Sequence, residues 1–252
     1  MASKPVCWIA TPTRHLQLNG SLSQEAFESL KEDYRRPIVE LQHFKDCPYQ
    51  IYLYVTGGGS VFRARNRAAS DFMAETKNPD DVLHFVDYDL MPDAQDYLHI
   101  WERNLPICGG LYTIRADKGH YVLNEWPGAV PSPSGQLQVM ELGTGFKTFK
   151  RSVFQKVLDD NPWLDCESDY DRGKRELCFF SAGPVWDKRM WPGVGRCLTE
   201  DYWFDWLCRE SGIMTVADLR VRLKHKDDFT GKIYPSVWPT LPGALPKEND
   251  AP

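Results

Sequence analysis

The chain has 252 residues, of which 42% are hydrophobic and 26% are charged. This is the composition of an ordinary globular protein, and it excludes fibrous, collagen-like and disordered chains. The longest apolar runs, such as residues 82–86, are far shorter than the roughly 20 residues that a membrane span needs, so no transmembrane segment is expected. Because residues 1–5 do not resemble a signal peptide, the expected location is the cytoplasm.

Charge and cysteine content exclude further classes. The formal net charge is −5, and residues 51–100 hold four Lys or Arg against eight Asp or Glu. An acidic chain disfavours sequence-independent binding to nucleic acid, although a local basic groove stays possible. The seven cysteines are odd in number and form no CxxC pair, so neither a disulfide framework nor a zinc ribbon is predicted. Most of them should be buried as small apolar residues.

The first half of the chain alternates predicted strands and helices. Pro37 should break or kink the first helix, and Thr11-Pro12-Thr13 should close the first strand with a turn. This βαβαβα order favours a mostly parallel, doubly wound sheet flanked by helices, with the ligand site in the loops after its strands. In chain order the expected elements are a strand over 6–10, a helix over 21–45, a strand over 49–55, a helix after Ser60, a strand over 82–86 and a helix over 92–101.

The second half has shorter predicted elements. They are strands over 110–114 and 121–123, Pro- and Gly-rich turns at 127–135, a helix over 151–158, a long functional loop over 165–196, a helix over 199–211 and a strand from 213 to 225. We expect residues 1–235 to form one domain and residues 236–252 to form a Pro-rich tail.

Asp87-Tyr88-Asp89 follows the third predicted strand. Carboxylates two residues apart on a strand point to the same face, so this pair could hold a divalent cation against a diphosphate. A solvated turn followed by a helix cap explains the same residues without any metal. A second D-x-D at residues 169–171 shows that the pattern arises easily.

Thr199-Glu200-Asp201 begins a predicted amphipathic helix. Thr199 can cap that helix, and acids in a first turn are favoured by the helix dipole, so a structural role is sufficient. The functional alternative is that one of the two carboxylates is a general base for a hydroxyl nucleophile.

His225 and the basic residues after Ser60 are also open to two interpretations. His225 is either a surface histidine or a metal ligand that would act with two carboxylates. Arg63, Arg65 and Arg67 either form a solvated helix face, or one of them or Asn66 reaches a nucleotide.

Six short segments, in this order and at this spacing, resemble a GT-A glycosyltransferase of the family 2 type over about residues 6–230. They are Ala10–Thr13, Arg65–Ala69, Phe85–Asp89, Leu142–Phe146 with Arg151–Phe154, Thr199–Phe204 and Arg222–His225.

The resemblance implies a role for each matching position. The donor-binding residues would be Thr11, Pro12, Thr13, Arg65, Asp87, Tyr88, Gly143 and Gly145; the metal ligands would be Asp89, His225 and Asp87; and the catalytic carboxylates would be Asp201 and Glu200. Thr11, Pro12 and Arg65 would line the nucleoside pocket, and the two glycines would let the backbone approach the sugar. Asp201 would be the general base of an inverting reaction, with Mn²⁺ or Mg²⁺ on the leaving diphosphate.

The resemblance therefore implies a hexosyltransferase that uses a nucleotide-sugar donor such as a UDP-hexose. The acceptor would be a saccharide or, as in phage DNA modification, a hydroxymethylated DNA base, which would place the protein in a host cytoplasm. Aromatic and basic residues of segment 165–196 could stack an acceptor. Two other classes stay open: a sugar nucleotidyltransferase, which would release pyrophosphate, and a non-catalytic nucleotide-sugar-binding module.

Overall fold

The computed structural model describes residues 4–13, 32–57, 60–115, 120–168, 173–186, 195–227 and 230–234. The strands are β1 (Val6–Thr13), β2 (Gln50–Gly57), β3 (Val82–Val86), β4 (Leu90–Met91), β5 (Ile107–Leu111), β6 (Leu123–Glu125), β7 (Gln136–Leu142), β8 (Phe146–Lys150), β9 (Asp165–Glu167), β10 (Arg175–Leu177), β11 (Gly183–Val185), β12 (Arg196–Leu198), β13 (Thr215–Arg222), β14 (Lys224–Lys226) and β15 (Ile233–Tyr234). The helices are α1 (Glu32–His43), α2 (Val61–Glu75), α3 (Ala94–Glu102), α4 (Arg151–Asp160) and α5 (Glu200–Glu210).

The main sheet has eight strands in the order β2-β1-β3-β8-β5-β13-β7-β6. Six of them point the same way, whereas β7 and β8 run in the opposite direction. The expected α/β architecture is confirmed, but the sheet is mixed because β8 lies antiparallel between β3 and β5.

Both faces of the sheet are covered, which explains the continuous apolar runs of its central strands. Alternate residues point to opposite faces. Cys7 and Ile9 of β1 pack on the side of α1 and α3, while Trp8 and Ala10 pack on the side of α2, α4 and α5. At β1 the sheet therefore separates two apolar cores, and a third cluster of buried residues lies around β5, β7 and β13.

The predicted elements of the first half are largely confirmed, with two corrections. The third strand covers residues 82–86 as expected, and Asp93 begins α3 with a capping box completed by Asp96. Thr11-Pro12-Thr13 is not a turn, because β1 continues to Thr13 alongside β2 after its ladder with β3 has ended at Ala10. Pro37 lies inside α1 and does not end it; residues 21–31 of the helix that we expected lie outside the described residues.

The second half differs more from expectation. Strands β7 and β8 were not predicted, although they form the turn that carries Gly143 and Gly145. The strand expected over 110–114 is observed at 107–111, and the one expected over 121–123 is observed at 123–125. The expected long loop over 165–196 contains two short antiparallel pairs, β9 with β10 and β11 with β12.

Two expectations from composition can be compared with the structure. All seven cysteines are unpaired, and four of them are buried. Within the described residues, no helix combines the length and apolar character needed to cross a membrane. The division into a domain over 1–235 and a tail over 236–252 stays a prediction, since residues 235–252 lie outside the described part.

Candidate functional site

The candidate site lies at the end of β3. The turn between β7 and β8, the start of α5, and strand β14 all lie next to this strand end. Arg65 of α2 also reaches this place, and its side chain contacts that of Asp201, 136 positions later in the sequence. The structure thus brings together five of the six segments that carry the family resemblance.

Arg65 binds carboxylates from two parts of the chain. Its Nη2 donates to both oxygens of Asp87, at 3.1 and 3.3 Å, and its Nη1 donates to Glu200 Oε1 at 3.1 Å and to Asp201 Oδ1. The Arg65 side chain is only 2% exposed, whereas each of the three acids keeps a partly exposed side. We call these four residues the Arg65 cluster; they hold the end of β3 against the start of α5.

The charges of the Arg65 cluster do not balance. One guanidinium faces three carboxylates, so the formal sum is −2 when all three are ionised. Burial, followed by the neighbouring Asp201, raises the pKa of Glu200 above the usual glutamate value, although Arg65 opposes the shift. Burial alone would lower the pKa of Arg65, but the three carboxylates outweigh it and raise that pKa. The cluster therefore favours an added proton or cation.

The glycine turn packs directly on this cluster. Gly145 accepts a hydrogen bond from the Asp87 backbone N–H at 2.7 Å, and its own N–H donates to the Tyr112 hydroxyl at 2.9 Å. A Cβ at Gly145 would lie 2.7 Å from that hydroxyl and 2.9 Å from Asp87 Oδ2, and a Cβ at Gly143 would overlap Tyr112 and Val122. Glycine is thus required here by contacts inside the protein; an approach to a sugar stays a prediction.

Asp89, Arg115 and His225 form a second group, the Arg115 cluster. Strand β14 pairs with β4 so that His225 lies opposite Leu90, next to Asp89. His225 Nε2 is 3.3 Å from Asp89 Oδ2, and Arg115 contacts both residues, with its Nη2 on Asp89 Oδ2 and its Nε donating to His225 Nε2 at 3.0 Å.

The environment of His225 determines its tautomer. Its Nδ1 lies 2.8 Å from the Thr113 carbonyl oxygen, which can only accept, so Nδ1 carries the hydrogen and the lone pair is on Nε2, where it accepts the Arg115 Nε–H. Burial, aided by Arg115, lowers the pKa of His225 below its usual value, although the hydrogen bond to Thr113 opposes the shift. A neutral imidazole held in this way by a backbone carbonyl is a competent metal ligand.

The structure corrects the expected geometry of the D-x-D segment. Asp87 and Asp89 do not lie on a strand; they are the first and third residues of a turn, closed by the Leu90 N–H on the Asp87 carbonyl. Asp87 is bound by Arg65, while Asp89 belongs to the Arg115 cluster. No three Asp, Glu, His or Cys side chains among the described residues form a group that could hold a metal ion. Asp89 and His225 alone provide one carboxylate and one imidazole lone pair close together, which is chemically suitable for a cation completed by ligand oxygens.

The remaining donor-binding candidates are placed as follows. Thr11 is buried in β1, and its hydroxyl bonds that of Tyr34. Pro12 is also buried, and the side chain of Thr13 lies outside what the structure describes. Tyr88 is half-buried against the core. A role in donor binding stays a prediction for each of them and for Arg65, whose Nη groups already bind acids.

The structure also places other residues that the sequence singled out. The Asn66 amide exchanges hydrogen bonds with the backbone N–H and carbonyl of Phe180. Phe179 and Phe180 are fully buried and cannot stack an acceptor, whereas Trp163 and Trp186 are 57% and 69% exposed.

A buried ion pair between Lys147 and Asp205, which the sequence did not predict, supports the site. Lys147 Nζ lies 2.5 Å from Asp205 Oδ1 and 3.0 Å from the Leu142 carbonyl, and Asp205 Oδ2 accepts the Leu142 N–H at 2.7 Å. Asp205 lies on α5, four residues after Asp201. The pair therefore fixes the glycine turn, which begins after Leu142, to the helix that carries the acids.

No protein-family model and no curated protein matches the chain. Among solved structures, A197 from STIV is similar at 15% identity and a TM-score of 0.46, covering 91% of this chain and 93% of that one. The 4-diphosphocytidyl-2C-methyl-D-erythritol synthase from Anaerococcus prevotii DSM 20548 is similar at 7% identity and a TM-score of 0.33, covering 68% and 81%. With TM-scores below 0.5, neither similarity establishes a shared fold or activity.

Proposed function

We propose that the protein is a GT-A-type glycosyltransferase, which moves a hexose from a nucleotide-sugar donor to an acceptor hydroxyl. One observation carries the proposal: a buried guanidinium binds the carboxylate at the end of β3 and the two carboxylates at the start of α5. The resemblance in sequence assigns these same acids to donor binding and to base catalysis.

The chemistry follows from what each acid can do. The acceptor oxygen attacks the anomeric carbon, its proton passes to Asp201, and the bond to the donor's diphosphate breaks. The Asp201 side chain is 17% exposed, so part of it is accessible to an acceptor. A single displacement with one carboxylate base inverts the anomeric centre.

Asp89 and His225 would hold the divalent cation proposed as cofactor, Mn²⁺ or Mg²⁺. Such a cation, when bound, stabilises the negative charge that develops on the leaving diphosphate. The acceptor that we propose is a saccharide or a hydroxymethylated DNA base, for which the exposed Trp186, next to Gly195 before β12, is a candidate stacking platform.

The test is a donor and acceptor screen read by mass spectrometry. UDP-hexoses and other nucleotide sugars are incubated with Mn²⁺, saccharides and hydroxymethylated DNA. Asp201→Asn should lower the transfer rate by about 10²- to 10⁴-fold, as expected for a lost general base. The exposed Asp159→Asn is the matched control and should leave the rate unchanged.

Other results would contradict specific parts of the proposal. Full transfer by Asp201→Asn would reject its role as base, and full transfer by Asp89→Ala would reject the metal role. Release of pyrophosphate from a nucleoside triphosphate would indicate a nucleotidyltransferase. Donor binding by calorimetry with no turnover on any acceptor would indicate a binding module.

A further inference from the structure

Arg115 lies against the proposed cation site, and the family resemblance assigns it no role. Its guanidinium contacts the two atoms that a cation would need, Asp89 Oδ2 and the lone pair on His225 Nε2. A cation and this guanidinium cannot occupy the same position. Binding of one therefore requires the departure of the other.

We propose that Arg115 is an internal competitor of the metal ion, which is displaced when the diphosphate of the donor arrives. This rests on the proposed function, because it takes the metal and the nucleotide diphosphate as ligands. It predicts that metal alone binds weakly and that nucleotide and metal strengthen each other's binding.

Exposure shows which partner of the Arg115 cluster can leave. The Arg115 side chain is 36% exposed, whereas the carboxylate of Asp89 is almost buried. The Arg115 side chain therefore has a path to solvent, while Asp89 stays in place. The backbone before it is held by the bridge between Thr113 and Tyr121 and by the Ile114 N–H on the His120 carbonyl. Displacement thus needs only rotation of one long side chain.

The diphosphate offers Arg115 a new partner. A guanidinium binds phosphate oxygens through two parallel N–H bonds, at least as well as it binds a carboxylate. With Arg115 on the diphosphate, Asp89 and His225 become free for the cation. Because coupling between two ligands is reciprocal, the nucleotide must raise metal affinity by the same factor as the metal raises nucleotide affinity.

Electron paramagnetic resonance of Mn²⁺ tests the proposal without measuring turnover. Free and bound Mn²⁺ are titrated against wild type, Arg115→Gln and the control Arg175→Gln, whose arginine is exposed and paired with Asp165. Each titration is made with Mn²⁺ alone and with Mn²⁺ plus UDP. Asp89→Ala shows whether the signal comes from this site, and thermal melts verify that each variant is folded.

The expected result is that Arg115→Gln binds Mn²⁺ alone on the order of tenfold more tightly than wild type, while Arg175→Gln does not. UDP should strengthen Mn²⁺ binding in wild type and much less in Arg115→Gln.

Three results would overturn the inference. The first is equal Mn²⁺ affinity of wild type and Arg115→Gln. The second is Mn²⁺ binding that survives Asp89→Ala, because the metal would then lie elsewhere. The third is UDP binding that needs no metal and is lost in Arg115→Gln, because Arg115 would then replace the metal. Failure of both Mn²⁺ and UDP to bind any variant would instead reject the donor and metal of the proposed function, and the inference with them.

Discussion

The Arg65 cluster and the Arg115 cluster are each built around one arginine that contacts several side chains of the site. The two arginines differ in how deeply they are buried and in the charge of their partners. Arg65 is 2% exposed and binds three carboxylates, whereas Arg115 is 36% exposed and binds one carboxylate and a neutral imidazole. Removing a buried charge from its partners leaves those partners unpaired in a low dielectric, while an exposed pair exchanges readily with water. The Arg65 cluster is therefore a fixed structural contact, whereas the contacts of Arg115 can exchange with solvent.

The largest expected effect on stability comes from removing the guanidinium of Arg65. Arg65→Met should lower the free energy of unfolding by about 3–5 kcal/mol, because three carboxylates lose the guanidinium that they share. Urea denaturation followed by tryptophan fluorescence measures it, with Arg65→Lys as the variant that keeps one charge. A loss below about 1 kcal/mol, the range of exposed ion pairs, would show that the two clusters do not differ in the way described.

The tight packing beside Asp87 gives the next effect. Gly145→Ala should cost about 1–3 kcal/mol, because the new methyl group would lie too close to the Tyr112 hydroxyl and to Asp87. A double-mutant cycle with Tyr112→Phe, measured by the same denaturation, should show that part of this cost disappears with the hydroxyl. Strict additivity of the two changes would contradict the contact.

A pH-dependent effect should be found at Glu200 and not at an exposed glutamate. Because the pKa of Glu200 is raised in the folded state, its ionisation costs stability as the pH rises from the usual glutamate pKa through the raised value. Glu200→Gln should therefore gain stability relative to wild type between pH 4 and pH 7. Denaturation midpoints at both values measure the gain, with the exposed Glu102→Gln as the control variant. A relative loss for Glu200→Gln would contradict the shift.

The smallest effect on stability is expected at the Arg115 cluster. Arg115→Gln should change the free energy of unfolding by no more than about 1 kcal/mol, because its arginine is partly solvated. Comparison with Arg65→Met in one denaturation series gives the contrast directly. Equal losses in the two variants would mean that Arg115 is as firmly fixed as Arg65, which would also weaken its proposed displacement.

Local pattern was sufficient for the elements of the first half. The apolar run at 82–86 and the helix start at Asp93 depend on neighbouring residues only, and both were predicted correctly. Strand β8 could not be read in this way, because Phe146–Lys150 has no clear pattern of its own and is fixed by β3 and β5 on its two sides. The alternation of apolar residues in Gln136–Leu142 was an available signal for β7.

For the site, the sequence indicated which residues matter better than what they contact. The sequence predicts donor binding for Arg65 and Asp87 and catalysis for Glu200 and Asp201. In the structure, the guanidinium of Arg65 binds the carboxylates of all three acids. No local sequence pattern indicates a role for Arg115 or Tyr112. Their importance arises only when β14 and the glycine turn are folded against them. Separations of more than 100 positions, such as that between Arg65 and Asp201, lie beyond any local pattern.

The position of β8 in the sheet also has a consequence for the folding pathway. Residues 82–86 need residues 146–150 as neighbours, and β5 further needs residues 215–222, so the middle of the sheet forms only from distant parts of the chain. Contacts of such high sequence separation slow folding, because a long loop must close before they stabilise anything. Until β8 arrives, the growing chain exposes the apolar edge of β3, where pairing with another chain is the competing event.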